Sequence, residues 1–227
     1  MHRPRFFEIS GSHKLFFYID PFIPFLLSIE RNFGAQHISH FVKTPPRTFM
    51  SYITTYTGKH FDPTNPDMAQ VDIKDIAHAL SLICRGNGQV KSFFSVGQHC
   101  INAAKEAIAR GYSNRVILAC LLHDAGESYL SDVPRPLKPS MPEYVRTEEQ
   151  LLDLIYEKYL GSKLNEEEKR LVKFIDNDLL YYDLKELLNE CSSDAAPKLL
   201  ISLNYDFVSF HQVEQTYLEL YQQYRII

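Results

Sequence analysis

From residue 72 onward, apolar positions recur at intervals of three and four, the spacing of helices that bury one face. Asp72 stands before a stripe of Ile73, Ile76, Ala77, Leu80, Ile83 and Cys84, with Asp75 in its first turn and Gly86 at its end. Ser95 opens a second stripe through Val96, Cys100, Ala103, Ala104, Ala107 and Ile108, closed by Gly111. Ser113 opens a third through Val116, Ile117, Cys120 and Leu121, which runs into His123-Asp124 and stops near Gly126.

The stretch that follows cannot continue as a helix, because Pro134, Pro136, Pro139 and Pro142 remove backbone donors and clash with the preceding turn. A fourth helix is predicted over residues 143–160, with Gly161 just past its end. Asn165 and Glu168 form a capping-box-like start to a fifth, which carries the pattern through Leu188. Val213, Leu218, Leu220 and Tyr221 mark a last amphipathic helix over residues 211–224. Ahead of the first helix, residues 51–61 alternate weakly around Thr57-Gly58, which suits a small hairpin, and residues 62–66 (DPTNP) form a turn cluster. No parallel-sheet strands alternate with the helices and no repeat is visible. The pattern predicts an all-α bundle of about six or more helices over residues 50–227.

Residues 1–49 lack this order. The apolar run at 15–29 is short for a membrane span and contains Asp20, Pro21 and Pro24, so no membrane role is expected. Nor does it resemble a secretory signal, which needs an uninterrupted apolar stretch and a small-residue cleavage site. Residues 1–49 are read as a poorly ordered extension or a start-site artefact, with Met50 as the expected natural start.

Composition narrows the function. The 227 residues are 45% hydrophobic, enough for one sizeable core, and the net charge is −4. No basic run appears, so duplex nucleic acid is not an expected partner. A small anion still fits, since a pocket can be locally basic inside an acidic protein. Cys84, Cys100, Cys120 and Cys191 are widely spaced without a CxxC pair, and three lie in apolar helical patterns. That argues against a zinc ribbon or a secreted disulfide scaffold and fits a reducing cytoplasm.

The candidate chemistry lies in His99, on the second helix, and His123-Asp124, at the end of the third. Imidazole and carboxylate on rigid elements suit borderline and hard divalent ions. Adjacent helical residues point about 100° apart, so His123 and Asp124 can share an ion only at the seam between them, near the helix terminus. An HD dipeptide alone says little among nine histidines, and a buried histidine satisfied by a carboxylate is the ordinary case. Here the context is richer: HDAGE is followed by a Pro-rich loop carrying Arg135 and Lys138.

Four stretches, DIAHALSLICRGNGQ (75–89), FFSVGQHC (93–100), LACLLHDAGESYLSDVPRPLK (118–138) and VKFIDNDLLYYDLKELL (172–188), occur in the order expected of an HD-domain phosphohydrolase. From about Ser51 to the C-terminus the chain resembles that superfamily, and within it the bacterial 5′-deoxynucleotidases and phage-type deoxynucleotide phosphohydrolases. The resemblance implies His99, His123 and Asp124 as metal ligands. The fourth ligand is Asp176 or Asp178, and helical periodicity does not separate them, because both faces carry apolar neighbours. Related phage-type sequences place an acid seven positions after the ligand, followed by a basic–acid–Leu run. Asp176 fits, with Asp183 and Lys185-Glu186-Leu187. Dinuclear HD proteins draw further histidines from the interval between the second and last ligand motifs. No histidine lies between Asp124 and Asp176, so one divalent ion (Mn²⁺, Co²⁺, Ni²⁺, Fe²⁺ or Mg²⁺) is expected.

The same resemblance assigns Arg85 to a substrate phosphate, with Lys138 as a second cation, and Glu127 and Asp132 as catalytic acids. It implies hydrolysis of a (deoxy)nucleoside 5′-monophosphate by a metal-activated water. Two other readings stay open, a deoxynucleoside triphosphate triphosphohydrolase and a non-catalytic nucleotide-binding module. A homo-oligomer is implied by resemblance alone. His78 is read as a core or outer-sphere residue, and His60 and His211 match no ligand position.

Overall fold

The computed structural model describes residues 51–190 and 195–226. The extension at residues 1–49, the start at Met50 and Cys191 lie outside the described residues. The rest forms a mostly helical bundle with one two-stranded hairpin. None of its described helices is long and apolar enough to cross a membrane.

The hairpin pairs β1 (Ile53–Thr54) with β2 (His60–Phe61), antiparallel, Ile53 opposite Phe61. Gly58 turns it at φ 83°, a left-handed conformation that costs glycine little. The buried carboxylate of Asp75 fixes the hairpin to the bundle by accepting from Thr57 N (2.6 Å) and Thr57 Oγ1 (2.9 Å).

Helix starts follow the local signals. Asp72 caps α1 (Ile73–Leu82) by accepting from Lys74 N. Ser95 and Gln98 form a reciprocal capping box on α2 (Val96–Ala109), and Ser113 caps α3 (Asn114–Leu122). A short α4 (Glu127–Leu130) follows. Pro142 occupies the first position of α5 (Pro142–Leu160), where its missing N–H costs nothing, and left-handed Gly161 ends that helix. Asn165 and Glu168 box α6 (Glu166–Leu188), and Ser209 caps α7 (Phe210–Tyr224).

The boundaries differ from the apolar pattern in three places. The third helix ends at Leu122 rather than near Gly126, and Gly126, at φ −60°, opens α4 instead of stopping a helix. The first helix stops at Leu82 although the stripe runs to Cys84. Backbone groups there bond to the start of α2 instead: Val96 N donates to Ile83 O and Arg85 N to Phe94 O, with Cys84 and Ser95 in an antiparallel bridge. A 3₁₀ turn at Arg85–Gly88 follows, with Gly86 and Asn87 both left-handed. Within the Pro-rich loop a second 3₁₀ turn forms at Lys138–Ser140, short enough to tolerate Pro139.

The centre of the bundle is α2 against α3, flanked by α1 and α7 on one side and by α6 on another, with α5 on α3. Buried Leu80, Val96, Ala104, Leu118, Leu122, Ile155, Ile175 and Tyr217 belong to one continuous core. Gly97 marks the tightest approach: a Cβ there would lie 2.9 Å from Val213 Cγ1 and 3.1 Å from the Leu80 carbonyl oxygen. The Tyr217 hydroxyl, buried with its ring, donates to Leu121 O at 2.7 Å and ties α7 to the end of α3.

Candidate metal centre

The last turn of α3 supplies two of the predicted residues. His123 is its C-cap residue, and the chain then continues in tight turns, Ala125 N bonding to Leu122 O and Glu127 N to Asp124 O. That break places the His123 and Asp124 side chains at a helix end, the seam that adjacent ligands require. His99 comes from the first turn of α2, one residue before Cys100 of the core. His99, His123 and Asp124 each offer one ligand atom within 4.8 Å of the others, a group able to hold a metal ion.

The hydrogen bonds around the rings fix which nitrogens face inward. His123 Nδ1 lies 2.7 Å from the Cys120 carbonyl, which can only accept, so Nδ1 carries the proton. His99 Nδ1 lies 2.9 Å from Asp183 Oδ2, an ionised acceptor, so it too is the donor. In the neutral rings both Nε2 atoms are therefore bare lone pairs.

Those lone pairs point at other acceptors. His99 Nε2 is 3.2 Å from Asp176 Oδ1 and 4.0 Å from Asp124 Oδ2. His123 Nε2 is 3.3 Å from Asp124 Oδ2 and 3.7 Å from Asp176 Oδ1. His123 Nε2 and Asp124 Oδ2 are buried and have no hydrogen-bond partner. Converging acceptors without donors between them repel one another unless a cation lies among them or the rings take up protons. The donor set therefore fits a metal ion.

The electrostatics carry the same signature. Burial alone would hold His123 neutral, but Asp124 and Asp176 outweigh it and raise its pKa well above the usual imidazole value. Burial would likewise raise Asp176, yet hydrogen bonding and charge from His123 and His99 hold it far below the ordinary carboxylate range. Glu127 is pushed strongly upward, first by burial and then by the negative charges of Asp124 and Asp132, so it keeps its proton at neutral pH in the metal-free site. Burial also raises Asp132, with Asp124 adding to the shift and Arg85 opposing it. Burial raises the Cys100 thiol and pushes Cys120 up to about 12, so neither sulfur is a thiolate nucleophile at neutral pH.

The predicted cations reach the same region by different routes. The Arg85 guanidinium sits 3.2 Å from Asp183 Oδ2 and 3.6 Å from Asp124 Oδ2; burial opposes its charge, but Asp183 and Asp124 hold it firmly protonated. Lys138 Nζ is 2.9 Å from both oxygens of Glu148. His123, Asp124, Glu127, Lys138, Glu148 and Glu149 are among the residues lining a cavity of about 150 Å³. A larger groove of about 790 Å³ between α1 and α7 includes none of the predicted site residues. Arg135 is mostly exposed, with Nη2 3.7 Å from Asp176 Oδ2.

Three residues enter the site that the sequence did not mark as functional. Asp183 lies seven positions after Asp176, two helical turns along the same side of α6, so helical geometry carried a usable signal. Glu148 pairs with Lys138 from ten positions away across a change of element, and Tyr205 donates to Asp183 Oδ1 at 3.0 Å from a non-helical segment. No spacing rule points to either.

Comparison with known proteins gives two relatives. Over 112 residues, 48% of this chain, it is 41% identical to "Uncharacterized protein YfdR" of Escherichia coli K12. Over 127 residues, 53% of this chain, it is 33% identical to "Uncharacterized protein RCAP_rcc00048" of Rhodobacter capsulatus. The chain spans 59% and 64% of the length of these two relatives. No family profile matches the chain.

Proposed function

We propose that the protein is a metal-dependent phosphohydrolase that cleaves the phosphoester of a (deoxy)nucleoside 5′-monophosphate. The observation that carries this reading is the convergence of His99 Nε2, His123 Nε2 and Asp124 Oδ2 within 4.8 Å of one another, with Asp176 Oδ1 3.2 Å from His99 Nε2 and 3.7 Å from His123 Nε2. Two imidazoles and two carboxylates suit one Mn²⁺, Co²⁺, Ni²⁺, Fe²⁺ or Mg²⁺ ion, with positions left for water and a substrate oxygen. Such an ion supplies Lewis acidity and a water of lowered pKa.

The chain's own residues supply the rest. Hydrolysis forms a bond from a water oxygen to phosphorus and breaks the ester P–O bond, and the departing oxygen needs a proton. Glu127, which lines the same cavity as His123 and Asp124 and holds a proton in the metal-free site, is placed to give it. Arg85 presents a permanent charge beside Asp124 for the phosphoryl oxygens. Asp132, near Arg85 and Asp124, orients the attacking water or a substrate hydroxyl. The cavity is lined by one lysine, Lys138, which is paired with Glu148, and by the further carboxyl groups of Glu127 and Glu149. That balance favours a short phosphate over a triphosphate, whose outer charges would meet carboxylates.

A phosphate-release screen over dAMP, dATP and the five metals tests the reading, with His123→Ala as control. Phosphate from dAMP with the wild type and none with the variant is the expected result. Full activity in His123→Ala, or stoichiometric metal binding with no phosphoester hydrolysis, would overturn it, the second in favour of a non-catalytic module. Triphosphate released from dATP would redirect it to the triphosphohydrolase class.

A further inference from the structure

Residues 195–209 link α6 to α7 without regular structure, yet they are held at several points. The buried Glu106 carboxylate accepts from Leu200 N on both oxygens (3.1 and 3.0 Å) and from Ile201 N at 3.1 Å. Tyr182 on α6 donates its hydroxyl to Pro197 O at 2.6 Å. Farther along, the Tyr205 ring lies 5.2 Å from that of buried Phe94, and its hydroxyl donates to Asp183 Oδ1 at 3.0 Å.

Asp183 is the carboxylate that holds His99. Its Oδ2 accepts from His99 Nδ1 at 2.9 Å and from Arg85 Nη2 at 3.2 Å, leaving Oδ1 for Tyr205. The direction of each bond is forced, since the carboxylate only accepts. A chain therefore runs from the linking segment through Tyr205 and Asp183 to His99, ending at the Nε2 atom that faces the other ligands. Partners behind a ligating histidine fix its tautomer and ring orientation.

We propose that Tyr205 is a positioning residue for the metal centre, acting on His99 through Asp183, so that ion binding and the seating of residues 195–209 are coupled. The inference rests on the metal reading above. If Tyr205 loses its hydroxyl, Asp183 Oδ1 loses the donor that anchors it and the carboxylate is held through Oδ2 alone, which loosens its grip on the imidazole. Coupling is reciprocal: ion binding that holds His99 in place also holds Asp183 and Tyr205.

The test is Mn²⁺ affinity measured by calorimetry on the full chain, with the Co²⁺ visible spectrum as a report on ligand geometry. Tyr205→Phe is expected to weaken Mn²⁺ binding by about 10-fold and alter the Co²⁺ spectrum, and Asp183→Asn to weaken it by about 10–100-fold, the range for partners behind a metal ligand. Tyr182→Phe removes only the bond to Pro197 and leaves the hydrogen bonds of Asp183 in place, so it should lower the melting temperature while leaving Kd near that of the wild type. Wild-type affinity in Tyr205→Phe would overturn the positioning role. So would an equal loss in Tyr182→Phe, which would make the effect one of general loosening. A wild type that binds neither ion would overturn the metal reading itself, and the positioning role with it.

Discussion

Asp178 Oδ2 accepts a 2.8 Å hydrogen bond from Arg110 Nη2, drawn from 68 residues away, while Asp176, two positions earlier on α6, faces His99 and His123. Two residues along a helix stand about 200° apart, so the two carboxylates serve opposite sides of α6. The substitutions Asp176→Asn and Asp178→Asn should therefore separate function from stability. Asp176→Asn should lose most Mn²⁺ affinity in calorimetry and keep its fold. Asp178→Asn should keep its affinity and lose about 1.5–3 kcal/mol in urea denaturation, the scale of a hydrogen bond to a charged group. Exchange of these two outcomes would move the fourth ligand to Asp178.

That division also shows where the sequence stops being informative. Helix starts were readable because each depends on a side chain two or three residues from the amide it caps, as with Ser95 and Gln98 or Asn165 and Glu168. His99, His123 and Asp124 were readable because their motifs are local and the predicted helix end lies where the chain turns. Asp176 and Asp178 could not be separated by periodicity, because the exposed Phe174 adds an apolar position outside the stripe that buries Val172, Ile175, Leu179 and Leu187. The early stop of α1 at Leu82 depends on backbone bonds to residues 94–96, which no apolar stripe encodes. Tyr205 is set by the path of a non-periodic segment.

Gly97 should not tolerate a methyl group. Its Cβ would stand 3.1 Å from the Leu80 carbonyl and 2.9 Å from Val213 Cγ1, and backbone oxygen cannot rotate away as a side chain can. Alanine has the better helix propensity by about 1 kcal/mol, but overpacking of this kind costs about 1–3 kcal/mol. Gly97→Ala is expected to lower the midpoint of thermal unfolding. Because His99 lies two residues along the same helix, it should also weaken Mn²⁺ binding. An unchanged or raised midpoint would mean that α1, α2 and α7 can separate at no cost.

Arg115 holds the turn between α5 and α6. Its guanidinium reaches Glu168 (2.6 Å), Leu160 O (2.7 Å), Ser162 O (3.1 Å) and Lys163 O (2.9 Å). Lysine has one ammonium and cannot reproduce that fork, so Arg115→Lys should cost about 1–3 kcal/mol. Burial pushes Glu168 upward, but its bonds from Arg115 and Asn165 N outweigh this and lower its pKa. A carboxylate with a lowered folded pKa stabilises fully above its unfolded pKa, about 4.3 for glutamate, and loses that contribution as pH falls through the folded value. The stability gap between wild type and Arg115→Lys should thus be constant near neutrality and narrow below about pH 4.3. Denaturation curves at pH 7 and across the acid range would show it, and a gap that stayed constant in acid would assign the clamp to the carbonyl contacts instead.

Chelation should destabilise the fold as well as stop any hydrolysis. Without an ion, the Asp124 and Asp176 carboxylates and two imidazoles crowd together at the end of α3, where His123 has to take up a proton, and Glu127 adds a third carboxyl nearby. An ion bound to the native state alone, at 100 times its Kd, adds about 2.7 kcal/mol. For a domain of this size each kcal/mol moves the melting temperature by about 2–4 °C, so the ion should raise it by about 5–10 °C. Adding EDTA to metal-loaded protein should reverse the rise, and His123→Ala should show no rise at any Mn²⁺ concentration. The variant removes one acceptor from a crowded site, so its metal-free form should melt no lower than the metal-free wild type by more than the loss of ring packing explains. If the wild type and His123→Ala gained equally on adding Mn²⁺, the ion would be stabilising some other part of the chain, and the convergence of the four acceptors would need another cation to explain it.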